Sequence, residues 1–150
     1  MRPIKEVIIH CTDTQEGVPI SVERVNQWHQ LRGFRCIGYH FLIGINGEVW
    51  KGRGVDEIGA HCTGHNQHSI GICYVGGCDK NMKPKDTRTP AQRQSLKKLV
   101  DDLLKQYPVA NEDITMVNIS KAKAVGNYQL MQANNPVYVF AFNSSSVCNS

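Results

Sequence analysis

The chain has no long hydrophobic run and no block of like charge. Its 150 residues carry 17 basic and 13 acidic side chains, a formal net charge of +4. The N-terminal apolar run covers only residues 7–9, whereas a signal-peptide core needs about 7–15 apolar residues and a membrane span roughly 18. No basic cluster alternates with aromatic residues. We therefore expect no membrane segment and no nucleic-acid partner, and a cytoplasmic chain unless another agent releases it.

The cysteines lack the C-x-x-C spacing of a zinc knuckle. They lie at positions 11, 36, 62, 73, 78 and 148. Their even number would suit a disulfide framework in a secreted protein, but no signal peptide is visible. Most of the thiols are therefore expected to be reduced, several of them in the core. With 41% hydrophobic residues, the chain is long enough for one ordinary domain with one core.

The C-terminal part lacks charge. Lys123 is the last charged residue, and residues 124–150 are rich in Asn, Ser and Gln. This change in composition predicts a first domain over residues 1–123 and a divergent, uncharged C-terminal segment over residues 124–150. Within that segment the apolar run 137–142 is prone to β-structure, which favours aggregation unless the run pairs inside a sheet.

Four short apolar runs predict strands. They cover residues 7–9, 39–45, 48–51 and 69–75. Between the second and third runs, Asn46-Gly47 predicts a hairpin with a type I′ turn, whose two central residues both need positive φ. Because helical patterns alternate with these strands, the sequence predicts an α/β domain.

Two helices have recognisable starts. Ser21 is a suitable N-cap for a helix that continues to about Arg32. Thr89 and Gln92 predict a capping box at the start of a longer helix. Apolar residues at helical spacing between positions 96 and 107 predict that this second helix packs one face on the core.

Six segments in a fixed order resemble one known family. They are residues 7–12 (VIIHCT), 28–34 (WHQLRGF), 37–41 (IGYHF), 59–61 (GAH), 64–66 (GHN) and 69–77 (SIGICYVGG). In this order they resemble the zinc-dependent N-acetylmuramoyl-L-alanine amidases, which include bacteriophage amidase-type lysozymes and the animal peptidoglycan recognition proteins. The resemblance covers residues 4–107 and implies an α/β fold with a mixed central β-sheet flanked by helices.

The resemblance also implies a reaction and a site. The reaction is hydrolysis of the amide bond between N-acetylmuramic acid and L-alanine in peptidoglycan, with Zn²⁺ as cofactor. At matched positions, His10 is implied to be a zinc ligand, Tyr39 the catalytic tyrosine, and His61 and Asn66 substrate-binding residues. Taken alone, His10 would be a polar residue at a strand end and Tyr39 a core aromatic. Cys11 is expected to face away from His10, because consecutive strand residues face opposite sides.

The implied setting is that of an endolysin. Peptidoglycan, as a muramyl peptide, is the expected partner, and the chain is expected to act as a monomer. It would belong to a phage or prophage lysis gene, or to a bacterial gene for remodelling the wall. A lysis system would then release the chain to the cell wall.

The family pattern breaks after the second helix. The second zinc histidine of the family would lie on a strand at Ile114–Ile119, but no histidine follows His68. The family's later lysine and cysteine ligand segment has no counterpart, and Cys148 is the only late cysteine. A substitute trio would be His10, His61 and Cys148. Two alternatives to an active amidase stay open: a non-catalytic peptidoglycan-binding module, and a gene product damaged by a shifted reading frame.

Overall fold

The computed structural model describes residues 2–110, 113–118, 123–125 and 139–141, with the backbone alone from residue 117 onward. Two α-helices and nine strands lie within these ranges. They are β1 (Glu6–Cys11), β2 (Thr14–Gln15), α1 (Val22–Leu31), β3 (Phe41–Ile43), β4 (Val49–Lys51), β5 (Ser69–Tyr74), β6 (Gly77–Cys78), α2 (Pro90–Gln106), β7 (Ile114–Asn118), β8 (Lys123–Val125) and β9 (Val139–Ala141). No helix in the described part of the chain is long and apolar enough to cross a membrane.

Seven of these strands form one mixed sheet in the order β4-β3-β5-β1-β7-β8-β9. The central strands β3, β5, β1 and β7 are parallel, whereas β4, β8 and β9 pair antiparallel at the two sides. The remaining two, β2 and β6, form a short parallel pair. This architecture confirms the predicted α/β class with a mixed sheet flanked by helices.

Alternate side chains of β1 face opposite sides of the sheet. Val7, Ile9 and Cys11 belong to the hydrophobic cluster that includes residues of α2. His10 instead contacts Tyr39, which belongs to the cluster on the α1 side. The prediction that Cys11 faces away from His10 is therefore confirmed, and the two-residue period of the strand explains it.

Both predicted helix starts are confirmed. The Ser21 hydroxyl accepts a hydrogen bond from the Arg24 N–H. At α2, Thr89 Oγ1 accepts from the Gln92 N–H at 3.1 Å, and Gln92 Oε1 accepts from the Thr89 N–H at 2.9 Å. The Gln92 amide also donates to the Val75 carbonyl at 2.9 Å, so the capping residue ties α2 to the end of β5.

Two local predictions are wrong in detail. The type I′ turn does not form, because Gly47 has a positive φ of 89° and Asn46 does not. The Gly47 N–H bonds to the Gly44 carbonyl at 2.9 Å, which places the turn one residue earlier. The strand predicted over residues 39–45 is shorter and covers only Phe41–Ile43.

The C-terminal segment is described only in part. Strand β8 spans the predicted boundary between residues 123 and 124, and β9 lies within the apolar run 137–142 and pairs with β8. The other residues of the segment, including Cys148, lie outside the described ranges. The division of the chain at residue 123 stays a prediction.

Candidate active site

His10 lies near the end of the central strand β1 and is completely buried. Its Nε2 is 2.9 Å from Nδ1 of His61, and its ring centroid is 5.2 Å from that of Tyr39. Its Nδ1 is buried and has no hydrogen-bond partner among the described residues. Buried polar atoms are seldom left without a partner, so this nitrogen calls for an explanation.

Tyr39 lies two residues before β3 and lines a groove of about 230 Å³ between α1 and the segment after β1. Its ring centroid lies 5.2 Å from that of His29. The other lining residues are Thr12, Asp13, Val25, Trp28, His29 and Arg32. The groove therefore combines an indole, a guanidinium and a carboxylate beside the predicted catalytic tyrosine.

His61 contacts His10, and Asn66 forms a hydrogen bond with the backbone of His61. His61 is 1% exposed, and its Nε2 lies 3.1 Å from Ser69 Oγ. The Asn66 side-chain oxygen accepts from the backbone N–H groups of His61 and Cys62, each at 2.9 Å. Neither His61 nor Asn66 lines the groove beside Tyr39. Their predicted role in binding substrate stays a prediction.

Two more buried histidines surround this cluster. His29 Nδ1 accepts from the Gly38 N–H at 2.8 Å, and His40 Nδ1 accepts from the Gly71 N–H at 2.9 Å. These backbone hydrogen bonds give both histidines a structural role. His29 also lines the groove, which the sequence reasoning did not predict. Its position beside Trp28, in a segment that matches the family, could have indicated this. The contact of Ser69 with His61 had no local signal.

Burial lowers the pKa of all four histidines. The pKa of His10 falls to about 3, with a further decrease from nearby His29. The pKa of His29 and that of His40 fall to about 4, in each case through burial and then a nearby arginine. The pKa of His61 is well below its usual range, through burial and then His10. The four imidazoles are therefore neutral at pH 7.

Acidification is expected to destabilise the fold between about pH 6.5 and pH 4. The unfolded histidines titrate near 6.5, whereas folded His29 and His40 titrate near 4. Because the unfolded state binds more protons in this window, the stabilisation is complete above pH 6.5 and is lost as the pH falls. Each histidine contributes at most about 1.4 kcal/mol per pH unit. Urea unfolding across this range measures the effect, and a constant midpoint would contradict it.

The described residues do not complete a catalytic zinc site. Such a site needs about three protein ligands and an open position. Among the described residues no group of three His, Cys, Asp or Glu side chains could share a metal ion. Of the substitute trio, His10 and His61 contact each other, and Cys148 lies outside the described ranges. The unpartnered Nδ1 of His10 suits one ligand position.

Comparison with known proteins places this arrangement in a family. The family model described as N-acetylmuramoyl-L-alanine amidase matches residues 1–129. The endolysin of Klebsiella phage KP32 is 39% identical over 102 residues, which are 68% of each chain.

Solved structures give the same assignment. The N-acetylmuramoyl-L-alanine amidase LysC from Clostridium intestinale has a TM-score of 0.64 and 26% identity, over 76% of this chain and 70% of that one. A complex of peptidoglycan recognition proteins LCa and LCx with tracheal cytotoxin has a TM-score of 0.60 and 30% identity, over 77% and 69%. Since the family model spans most of the sequence, the chain belongs to the N-acetylmuramoyl-L-alanine amidase family.

Proposed function

We propose that this chain acts on peptidoglycan as an endolysin-type amidase. It would cleave the amide bond between N-acetylmuramic acid and L-alanine of the stem peptide. The observation that carries the proposal is the contact of His10 with Tyr39, whose ring centroids are 5.2 Å apart, where Tyr39 also lines the groove. The family assignment supports the same chemistry.

The groove suits a charged muramyl peptide. Arg32 and Trp28 both line it, and a guanidinium binds carboxylates of a peptide well because it can donate two parallel hydrogen bonds. Attack on an amide carbonyl places negative charge on its oxygen, and a donor aimed at that oxygen stabilises the transition state. We assign this donor role to the Tyr39 hydroxyl.

Zn²⁺ is the cofactor that we propose, in keeping with the family. His10 would be one ligand, through the Nδ1 that has no partner among the described residues. When bound, zinc supplies a hydroxide at neutral pH, because it lowers the pKa of its water to about 7.

A second candidate is a peptidoglycan-binding module without catalysis. It is favoured by the lack, within the described residues, of any three-ligand group. The groove beside Tyr39 does not depend on a metal, so a chain without zinc would keep its binding surface.

Metal analysis and a product assay together separate the two functions. For the amidase we expect about one zinc per purified chain. Purified cell-wall sacculi should then release stem peptides with a free N-terminal L-alanine, detected by mass spectrometry. A chelator should stop this release, and added zinc should restore it. Binding to sacculi without new L-alanine termini, even with added zinc, would support the binding module and refute the amidase.

A further inference from the structure

We infer that His61 is a positioning residue that fixes the imidazole of His10 with its proton on Nε2 and a bare lone pair on Nδ1. The inference deepens the proposed function, since it rests on His10 as a metal ligand. Three buried side chains carry it. Ser69 Oγ lies 3.1 Å from His61 Nε2, and His61 Nδ1 lies 2.9 Å from His10 Nε2.

Two proton arrangements satisfy these contacts, because a neutral imidazole has one N–H and one acceptor nitrogen. In the first, His10 donates from Nε2 to His61, and His61 donates from Nε2 to Ser69. In the second, Ser69 donates to His61 and His61 donates to His10, which then carries its proton on Nδ1.

The surroundings of His10 favour the first arrangement. In the second, the Nδ1–H of His10 would be buried without an acceptor among the described residues, and a buried donor of this kind costs about 1–3 kcal/mol. In the first arrangement Nδ1 of His10 carries a lone pair and no proton, so no buried donor is left without an acceptor. A metal ligand needs that lone pair, and a hydrogen bond from the other ring nitrogen determines which nitrogen offers it.

Two glycines leave the space that the His61 ring occupies, because they have no side chain. A methyl group on Gly71 would lie 2.5 Å from His61 Cδ2, and one on Gly59 would lie 2.7 Å from the same atom. Asn66 meanwhile holds the backbone of His61 and Cys62. The ring is thus held between two glycines with both nitrogens in hydrogen-bond contact. This placement suits a residue that acts through His10.

His40 provides the internal comparison. It is also buried, and its ring centroid lies 5.9 Å from that of His61. Its nitrogens contact the Gly71 N–H and the Glu57 carbonyl, with Arg2 also near Nε2. Among the described residues His40 forms no hydrogen bond with His10, so burial beside His61 does not by itself place a histidine in the chain of contacts.

Histidine NMR tests the inference on the metal-free, full-length chain. Two-bond ¹H–¹⁵N spectra near neutral pH distinguish the two imidazole tautomers, and His10→Asn identifies the signals of His10. We expect the Nε2–H tautomer in the unmodified chain. His61→Phe removes the acceptor and should give a mixture or the Nδ1–H form. His61→Gln keeps an acceptor and a donor and should restore the Nε2–H form.

Metal binding gives a second readout. If His10 is a ligand, His61→Phe should weaken zinc affinity by roughly 10–100-fold, the usual effect of losing a partner that orients a ligand. His61→Gln should recover most of that loss. His68→Gln changes an exposed histidine and should leave both the tautomer and the affinity unchanged.

The inference is overturned if His10 carries its proton on Nδ1 in the unmodified chain, or if His61→Phe leaves its signals unchanged. If His61→Phe does not fold, the tautomer of His10 in the unmodified chain and in Ser69→Ala tests the inference. Ser69→Ala removes the partner of His61 Nε2 and should weaken the preference of His10 for one tautomer. The tautomer is measured without metal or substrate. A chain that proves inactive can therefore still support this inference, which separates its failure from failure of the proposed function.

Discussion

Replacement of His10 by alanine is expected to reduce release of L-alanine termini from sacculi to background and to remove bound zinc. The change deletes the buried imidazole whose Nδ1 has no partner among the described residues. Loss of a direct ligand should exceed the roughly 10–100-fold effect typical of partners that only orient a ligand. The product assay and the zinc content of the purified variant measure the result.

The matched control is His68→Ala, because His68 is exposed and should keep full activity and zinc. His10→Ala also leaves a cavity beside Tyr39 and His61, so the unfolding midpoint of each variant must be measured. His10→Asn retains a polar side chain and provides a second test if the alanine variant is unstable. A folded His10→Ala protein that keeps zinc and most of its activity would contradict the assignment.

Replacement of Gly38 by alanine is expected to lower the free energy of unfolding by about 3 kcal/mol or more, at the upper end of overpacking effects. A methyl group there would lie 2.1 Å from the carbonyl oxygen of Ala60. The clash is with backbone, so no side-chain rotation relieves it. The two residues are also joined by a hydrogen bond from the Ala60 N–H to the Gly38 carbonyl at 3.0 Å. Urea unfolding measures the loss.

Gly54→Ala is the matched control for this prediction. The nearest atom to its added methyl group would be Glu57 Oε1 at 3.5 Å, an ordinary contact. We expect this change to be neutral or to stabilise by up to about 1 kcal/mol, because alanine restricts the unfolded chain. Equal unfolding midpoints for the Gly38 and Gly54 variants would show that the close approach at Gly38 is unimportant.

The Gly38 contact also bears on function. Gly38 directly precedes Tyr39, and Ala60 directly precedes His61. A shift that relieves the clash would therefore move the tyrosine away from the loop that carries His61. We expect residual folded Gly38→Ala protein to be impaired in the product assay, whereas Gly54→Ala should retain activity.

Structural features that depend on residues close together in sequence could be predicted. The start of α2 followed from Thr89 and Gln92, because a capping box is completed within three residues. The opposite orientations of His10 and Cys11 followed from the two-residue period of a strand. The predicted hairpin forms between β3 and β4. Its turn is closed by Gly44 and Gly47, and the Asn46-Gly47 signal alone could not place that turn.

By itself, the sequence determined the α/β class, the helix starts, the family and the candidate pair His10 and Tyr39, since these depend on residue type and order. Only the tertiary structure decided that His61, 51 residues from His10 in sequence, lies 2.9 Å from it and engages Ser69. It also decided the burial that keeps the histidines neutral and the groove assembled beside Tyr39. Contacts and burial depend on how distant segments pack, and no local pattern of residues encodes that packing.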